Sequence, residues 1–580
     1  MTVERVDRPA PLDESTTRSV AVLLTLCAVA LFPSLFTPFV ADDYFHVVVA
    51  SRLREGLAHG WVLPIDLAGT WWTPHGLAVE YFRPLVVVSF AIDLFLYGVH
   101  AAGYHMTNLA LHGAATLLVW AIARRVLGPD FRARAAAGLF AMHPCHVQAV
   151  GWISGRTDVL AALLYMAALL LYLESRGRPR IGALLVGLSL SIFFLALLAK
   201  EMAITLPAVL LAHALLRPER EPLARRLIAP ALATVVAGLY LAVRTAVIGG
   251  LHTPPSPFAY HLGDRGLLLH LVTAPLLYLG DLTLFVPADP VVTVPFWKVH
   301  PVLLVLFAGM VINTFTRVLQ RVPDRNTLAW GVGWIVLTLT PVLMLTVGEH
   351  FLYLPSLGYC ILAGSQLPRS QADLGARDRR GLAIMSGFVL SVCIGRTILF
   401  GRVAYASSRT VDEAVTALDR YPDTKLLLVE DLPTGASLAF ALALRFARLG
   451  LTTDVEILSI LPSLSILPSL TADNAERSVA TVVPPDRIEL RRDHGFLGSY
   501  VERALSGPRT SFYPGETFER RGHTVTVLDA PGGQLRAFET RLLDPAHTLV
   551  LGESEHGLIP LMAPPLPVPA VTQPPQGPPP

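Results

Sequence analysis

The sequence is short of charge. Only 16% of its 580 residues are Asp, Glu, Lys or Arg, where a soluble globular protein carries about a quarter. With a mean hydropathy of +0.53, that scarcity excludes a soluble chain and implies a multi-pass membrane protein over most of the length. Cysteine is scarce too. Cys27, Cys145, Cys360 and Cys393 lie far apart, mostly in apolar runs, and no CxxC occurs. That excludes a zinc ribbon and a disulfide framework. Nor is there an excess of one charge. The net charge is +2 and the basic residues are dispersed among short loops, so no nucleic-acid partner is expected. The first apolar run, Ser19 to Val40, lacks a small-residue cleavage site and reads as a retained first helix, not a removed signal peptide.

What is abundant is apolar sequence. About eleven segments meet or approach the length that crosses a bilayer. They lie near 19–40, 104–123, 133–150, 157–173, 181–199, 202–216, 226–247, 300–319, 327–347, 350–366 and 381–399. Arginine sets their direction. The stretches from Ala123 (ARRVLGPDFRARA), Glu174 (ESRGRPR), Arg217 (RPEREPLARR), Thr316 (TRVLQRVPDR) and Leu367 (LPRSQADLGARDRRG) occupy every second loop, as positive-inside orientation requires. The N-terminal segment 1–18 is then cytoplasmic. The other loops carry Asp42, Asp43, His59, His75, His143, His146, Lys200, Glu201, Glu349 and His350 and face outward. Two apolar segments, Pro84–Gly98 and Leu267–Val286, break the alternation if counted as crossings. They are expected as juxtamembrane helices on the outer face.

After Phe400 the composition changes. KLLLVEDLPTGASLAFALALRFARLG, from Lys425, reads as strand, turn, helix. HTVTVLDAPGGQLRAFETRLL, from His523, reads as two strands around a Gly-Gly turn. SILPSL occurs in tandem from Ser459 and Ser465, a local duplication. Residues 401–558 are expected to form an extracytoplasmic α+β domain, and 559–580 a proline-rich disordered tail. The expected fold is thus an α-helical multi-pass membrane domain over 19–400, with a long first outer loop at 41–103 and a soluble C-terminal α+β domain.

Polar residues near membrane depth usually mark function, and four outward stretches gather them. These are the first outer loop, FAMHPCHVQAVGWISGRTDVL from Phe140, LAKEMAITLP from Leu198, and GEHFLYLPSLGY from Gly348. Together ADDYFH, YFRPL, GYHMTNLALH, MHPCHVQAVGWISGRTD, AKEMAITLP and EHFLYLPS, in that order, resemble the GT-C glycosyltransferases. The nearest likeness is to the transmembrane-and-TPR protein O-mannosyltransferases and their bacterial relatives, over roughly 19–400. The resemblance implies a GT-C-like membrane enzyme that uses a sugar carried on a polyprenyl phosphate, mannose being the family's sugar. It implies inverting transfer to an acceptor hydroxyl, commonly of a protein, on the outer face of a bacterial cytoplasmic (inner) membrane. An acid of the first outer loop acts at the reaction centre in such enzymes, which carries over to Asp42 and Asp43.

The chemistry of the residues agrees. An acceptor hydroxyl must lose a proton as it attacks, and a carboxylate within hydrogen-bond reach takes it. The leaving group is a phosphate, so it needs cations or donors nearby. Arg83, Arg156, Lys200 and His350 are the outer-side candidates. Asp42 is favoured as base by analogy, with Asp43 in support. Glu349 shapes the donor site with Arg83, Lys200 and His350, and His143, His146, Asp158, Glu201 and Tyr353 complete the substrate-binding set. No cofactor is required. A divalent metal, Mg or Mn, is permitted but not demanded, and no metal ligand is assigned.

Each residue also has a structural reading. Asp42 and Asp43 would end a helix at the water boundary. His143 and His146 share a helical face at a spacing of three, but Pro144 argues for a helix end and a hydrogen-bonding role. Arg156 would pair with Asp158, and Lys200 with Glu201. Trp71 and Trp72 would be membrane-interface anchors, the commoner use of Trp. The chain also departs from the family's pattern. His350 stands where an arginine is usual, Gln148 where an acid is usual, and no 34-residue TPR period occurs in 400–580. Rival functions are transfer to a lipid or cell-wall glycan, and a non-catalytic lipid-linked-sugar transporter or scaffold. A transporter would show repeated helices, and the sequence shows none.

Overall fold

The computed structural model describes residues 14–53, 65–66, 71, 78–79, 82–176, 178, 180–216, 222–248, 267–288, 301–433, 453–461, 478–493, 495–496, 511–554 and 557–565. The chain divides into two compact units. The first holds Met1–Phe39, Phe45–Pro64 and Val79–Tyr405, and the second Val40–Tyr44, Ile65–Ala78 and Ala406–Pro580.

The first unit is helical. Its helices are α1 (Glu14–Leu31), the larger part of α2 (Asp42–Ser51), α3 (Pro84–Tyr97), α4 (Ala101–Leu127), α5 (Phe131–Met142), α6 (Arg156–Ser175) and α7 (Gly182–Ala199). There follow α8 (Leu206–Leu216), α9 (Leu223–Ile248), α10 (Leu267–Leu284), α11 (Pro301–Gln320), α12 (Arg325–Leu339), α13 (Ser356–Ser365) and α14 (Ala376–Arg420), the last entering the second unit after Tyr405. Among the described residues seven helices are long and apolar enough to cross a membrane: Ser15–Phe36, Ala101–Leu127, Ile153–Ser175, Gly182–Ala199, Leu223–Ile248, Leu267–Leu284 and Ala376–Arg420. Four apolar helices are shorter: Pro84–Tyr97, Glu201–Leu216, Val305–Gln320 and Ser356–Ser365.

Four segments differ from their expected form. The run 327–347 is an α-helix only to Leu339, and 350–366 only from Ser356 to Ser365. The run 133–150 is not one helix. α5 stops at Met142 because Pro144 cannot continue it, and a short turn, a wider turn over Val147–Gly151 and a second short turn carry the chain into α6. Leu267–Leu284, expected on the outer surface, is long enough to span.

Local chemistry sets the ends. Asp130 caps α5 by accepting from the Arg132 N–H at 3.1 Å, and Asp324 caps α12 by accepting from the Thr327 N–H at 2.8 Å. The core is built close. A Cβ on Gly364 of α13 would lie 2.8 Å from the Arg132 carbonyl and 2.9 Å from the Ala136 Cβ of α5. Small residues let apolar helices approach this way, and the alanines of α5 are buried there.

The second unit is built on strands. Besides β1 (Ile65–Asp66) and β2 (Ala78–Val79), which pair with each other, it has β3 (Leu426–Glu430), β4 (Leu432–Pro433), β5 (Asp454–Ile457), β6 (Ile460–Leu461) and β7 (Val479–Val483). It continues with β8 (Arg487–Arg491), β9 (Thr517–Arg520), β10 (His523–Asp529), β11 (Ala537–Leu542), β12 (Thr548–Ser554) and β13 (Gly557–Met562). One sheet has the order β13-β12-β3-β5, with β12, β3 and β5 parallel. All five residues of β3 are buried, which is why LLLVE reads as an unbroken apolar run. A second, antiparallel sheet has the order β7-β8-β11-β10-β9. β10 and β11 are the expected hairpin, with Gly532 (φ 61°) and Gly533 (φ 86°) in its turn. The helix expected after β3 lies outside the described residues. The tail expected over 559–580 starts later than expected, because its first residues, to Met562, pair with β12 as part of β13; from 566 on it lies outside the described residues.

Candidate active site

In the first unit the polar residues sit at the ends of apolar helices. α7 ends at Ala199, and Lys200 opens the turn Glu201–Thr205. The buried Lys200 Nζ donates to both carboxylate oxygens of Asp158 at 2.7 Å and lies 5.0 Å over the Phe351 ring. Asp158 stands in the first turn of α6, where the helix dipole favours an acid. Burial lowers the Lys200 pKa and the Arg83 cation adds to this, while Asp158 opposes it. Arg83, which precedes Pro84 at the start of α3, forks onto Glu201 at 3.0 and 2.6 Å. The pairs expected from neighbouring positions are therefore exchanged. Lys200 pairs with Asp158, and Glu201 with Arg83.

Arg156 does not pair with Asp158. Its fully buried guanidinium meets Asp93 at 2.5 Å, the Asn108 Oδ1 at 2.7 Å and the Tyr104 carbonyl at 3.0 Å. It also lies 4.5 Å over the Phe90 ring. Asn108 donates to the carbonyls of Val150, Trp152 and Ile153, so this network shapes the turn before α6. Gly155 is needed in that turn, since a Cβ there would come 2.3 Å from the Ala149 carbonyl.

The segment from Gly348 is held from two sides. Arg396 of α14 bridges Glu349 and the fully buried Asp281 of α10, and Gln148 bonds His350. Tyr353 bonds His112 at 2.8 Å. His146 bonds the Ser356 hydroxyl at 2.8 Å, and His143 the Leu282 carbonyl at 3.2 Å. Both histidines are buried, and no group of three metal-binding side chains occurs among the described residues.

Sequence reasoning missed three residues here. Arg396 and Asp281 lie inside apolar runs and carried no motif, although a charge at membrane depth is itself a signal. His46, in the quoted ADDYFH, stacks on Phe90 with ring centres 4.7 Å apart. Burial, and then Arg83, Arg156 and Lys200, hold its imidazole down to about 3. His46 thus shares the Phe90 ring with the Arg156 guanidinium.

Asp42 and Asp43 fall in the second unit. They open α2 after Ala41, whose φ of 49° is unusual for a residue with a Cβ. The Asp43 carboxylate is buried and accepts from the Val40 N–H at 2.9 Å. Asp42 is exposed. Trp71, read as a membrane-interface anchor, is fully buried within the same unit.

No family model matches the chain. The chain is similar to the protein O-mannosyl-transferase Tmtc1 of Drosophila melanogaster, 32% identical over 201 residues, 35% of this chain and 23% of that protein. It is similar also to the human protein O-mannosyl-transferase TMTC1, 34% identical over 191 residues, 31% of this chain and 21% of that protein. The matched region thus spans less than a quarter of these relatives' length. Among solved structures, the Archaeoglobus fulgidus oligosaccharyltransferase aligns with a TM-score of 0.44 at 13% identity, over 74% of this chain and 63% of that one. ArnT from Cupriavidus metallidurans, bound to undecaprenyl phosphate, aligns with a TM-score of 0.43 at 14% identity, over 90% and 97%.

Proposed function

We propose that this protein is an inverting membrane glycosyltransferase of GT-C type. It transfers a sugar, with mannose the first candidate, from a polyprenyl-phosphate donor to an acceptor hydroxyl on the outer face of a bacterial inner membrane. Similarity to protein O-mannosyl-transferases supports the reaction class and makes a protein hydroxyl the first acceptor to test. The observation that carries the reading is the pairing of Arg83 with Glu201 and of Lys200 with Asp158 at the ends of apolar helices, with Arg156 and His46 on the same Phe90 ring. Charge at such positions is expensive, and so usually marks function.

In this reading Arg83 and Lys200 receive the donor phosphate. Each is already paired with a carboxylate, so the phosphate enters an organised field instead of ordering loose side chains. Arg156 is enclosed by its own partners and acts through the field and the shape of the turn. Asp42 takes the acceptor proton as the hydroxyl oxygen attacks the anomeric carbon. The bond from that carbon to the phosphate oxygen breaks, and the polyprenyl phosphate leaves with the electron pair. Asp43, tied to Val40, fixes the start of α2. The cytoplasmic N-terminus and outward C-terminal unit follow from the arginine pattern.

The test is transfer from labelled polyprenyl-phosphate sugars in membranes holding the full-length protein. Native protein transfers label, and Asp42→Asn lowers the rate by about 100-fold or more at equal protein level. Absence of transfer from a panel of donors, with native membranes supplying acceptors, overturns the proposal.

A further inference from the structure

The chain enters the second unit three times. It does so at Val40–Tyr44, at Ile65–Ala78, and from Ala406 onward. Two of these visits belong to the first outer loop, and one of them carries Asp42 and Asp43. The anchoring at the other visit is specific. Trp71 is fully buried, and its indole Nε1–H donates to the Leu458 carbonyl at 3.0 Å, just beyond β5. Its ring meets Phe538 of β11 at 4.8 Å, Phe518 of β9 at 5.3 Å and Phe512 at 6.0 Å. Its carbonyl accepts from Nε of Arg520, at 2.9 Å, and from Nη2 of the same side chain. Arg520 in turn lies 3.7 Å from Glu456 of β5. One loop residue therefore contacts both sheets, joined to strands more than 380 positions away in sequence. A membrane-interface tryptophan keeps its polar edge at the lipid boundary. This one is enclosed and held by three hydrogen bonds to protein.

The first visit is held as well. Tyr44 is buried, and burial, then the Asp43 and Asp412 carboxylates, push its phenol up. Val40–Tyr44 clusters in the same compact unit as the part of α14 beyond Tyr405, to which Asp412 belongs. The loop is thus gripped at two points, on either side of a stretch that returns to the first unit.

Resting on the glycosyltransferase reading above, we infer that the C-terminal domain is a clamp for the first outer loop. Trp71 is its anchor, and the clamp's work is to hold Asp42 and Asp43 in position for the reaction. Trp71 is a positioning residue in this scheme and touches neither donor nor acceptor. The physical reason is precision. A carboxylate that takes the acceptor proton must stay within hydrogen-bond distance of it, and a misplacement of about 1 Å costs about 100-fold in rate.

The test uses the full-length protein in lipid nanodiscs as native, Trp71→Ala and Trp71→Phe. Hydrogen exchange is read by mass spectrometry, together with kcat and donor KM for sugar transfer. In Trp71→Ala, exchange at 40–44 rises about tenfold or more while α6 and α7 keep native protection. kcat falls about 100-fold with donor KM within about twofold. Trp71→Phe keeps the ring contacts, loses only the Nε1–H bond, and stays within about tenfold of native kcat. Unchanged exchange at 40–44 in Trp71→Ala overturns the clamp. So does a rise spread over all of 426–562 with Trp71→Phe as inactive as Trp71→Ala, since Trp71 would then only stabilise a core. If native protein transfers no sugar, the glycosyltransferase reading fails, and the exchange at 40–44 still decides the clamp.

Discussion

The side-chain oxygen of Gln148 accepts two hydrogen bonds from His350, one from its backbone N–H and one from its ring Nδ1, each 3.0 Å long. The backbone N–H can only donate, so it selects the amide oxygen. That oxygen can only accept, so Nδ1 carries the hydrogen and Nε2 keeps the lone pair. Burial, and then the Lys200 and Arg83 cations, hold the imidazole down to about 4 against the pull of Asp158. These are the two positions at which the chain departs from the family it resembles, with Gln in place of an acid and His in place of an arginine. Read separately, each looks like a lesion. Read together, a neutral donor–acceptor pair stands where the family pattern implies a charged one.

Gln148 and His350 should therefore couple. Gln148→Glu sets a carboxylate against a neutral ring, and His350→Arg sets a cation against an amide. Each single variant loses stability, and the double variant recovers by about 1 kcal/mol or more relative to the sum. A double-mutant cycle of chemical unfolding in detergent measures this. A coupling of zero shows that the contact carries no energy.

Lys200 and Asp158 form a buried pair, with side-chain exposures of 7% and 3%. Lys200→Met leaves a buried carboxylate without its partner and costs about 3–5 kcal/mol. Lys200→Met with Asp158→Asn removes both charges and restores most of the melting temperature. If Lys200 also receives the donor phosphate, the double variant stays impaired in transfer. Recovery of activity along with stability would assign Lys200 to structure alone.

Asp42 and Asp43 separate by assay. The Asp43 carboxylate accepts from the Val40 N–H, so Asp43→Ala lowers stability by about 1–3 kcal/mol, the worth of a hydrogen bond to a charged group, and lowers transfer with it. Asp42→Asn lowers kcat by far more than any loss of stability accounts for. If transfer survives Asp42→Asn and not a stable Asp43 variant, the base is Asp43.

Glu430 gives a pH signature in the C-terminal unit. Burial, and then the Asp431 carboxylate, push its carboxyl up to about 8 against the pull of Arg492. An unfolded glutamate titrates near 4.3. Between those values the folded state holds a proton that the unfolded state has released, so this contribution is full below about 4.3 and is lost as pH rises toward 8. Glu430→Gln removes the titration. Its stability relative to native grows from pH 5 to pH 8, by on the order of 2 kcal/mol or more, as read from exchange protection of β3 and β12. A difference independent of pH rules out this cause.

Residue type and order were enough to mark the membrane-bound class and the hairpin of β10 and β11. Each rests on a local quantity: apolar length, or alternation around a Gly-Gly turn. The candidate site was legible as a set of residues, because polar groups at helix ends are rare enough to be noticed. Their pairing was not legible. Lys200 stands beside Glu201 in the chain and reaches Asp158. Arg156 is two residues from Asp158 and reaches Asp93. Successive residues at a helix boundary point to different faces, so neighbours in sequence meet partners from other helices. Arg396 carried no motif, and nothing in an apolar run says that Asp281 and Glu349 will stand opposite it. Trp71 misled for the same reason. A tryptophan between membrane helices suits a lipid boundary, and only the folded second unit supplies the Leu458 carbonyl and the three phenylalanines that enclose it. Composition determined the solvent in which each segment lives. Long-range packing decided which charges neutralise one another, because that depends on distances in space that the order of residues does not contain.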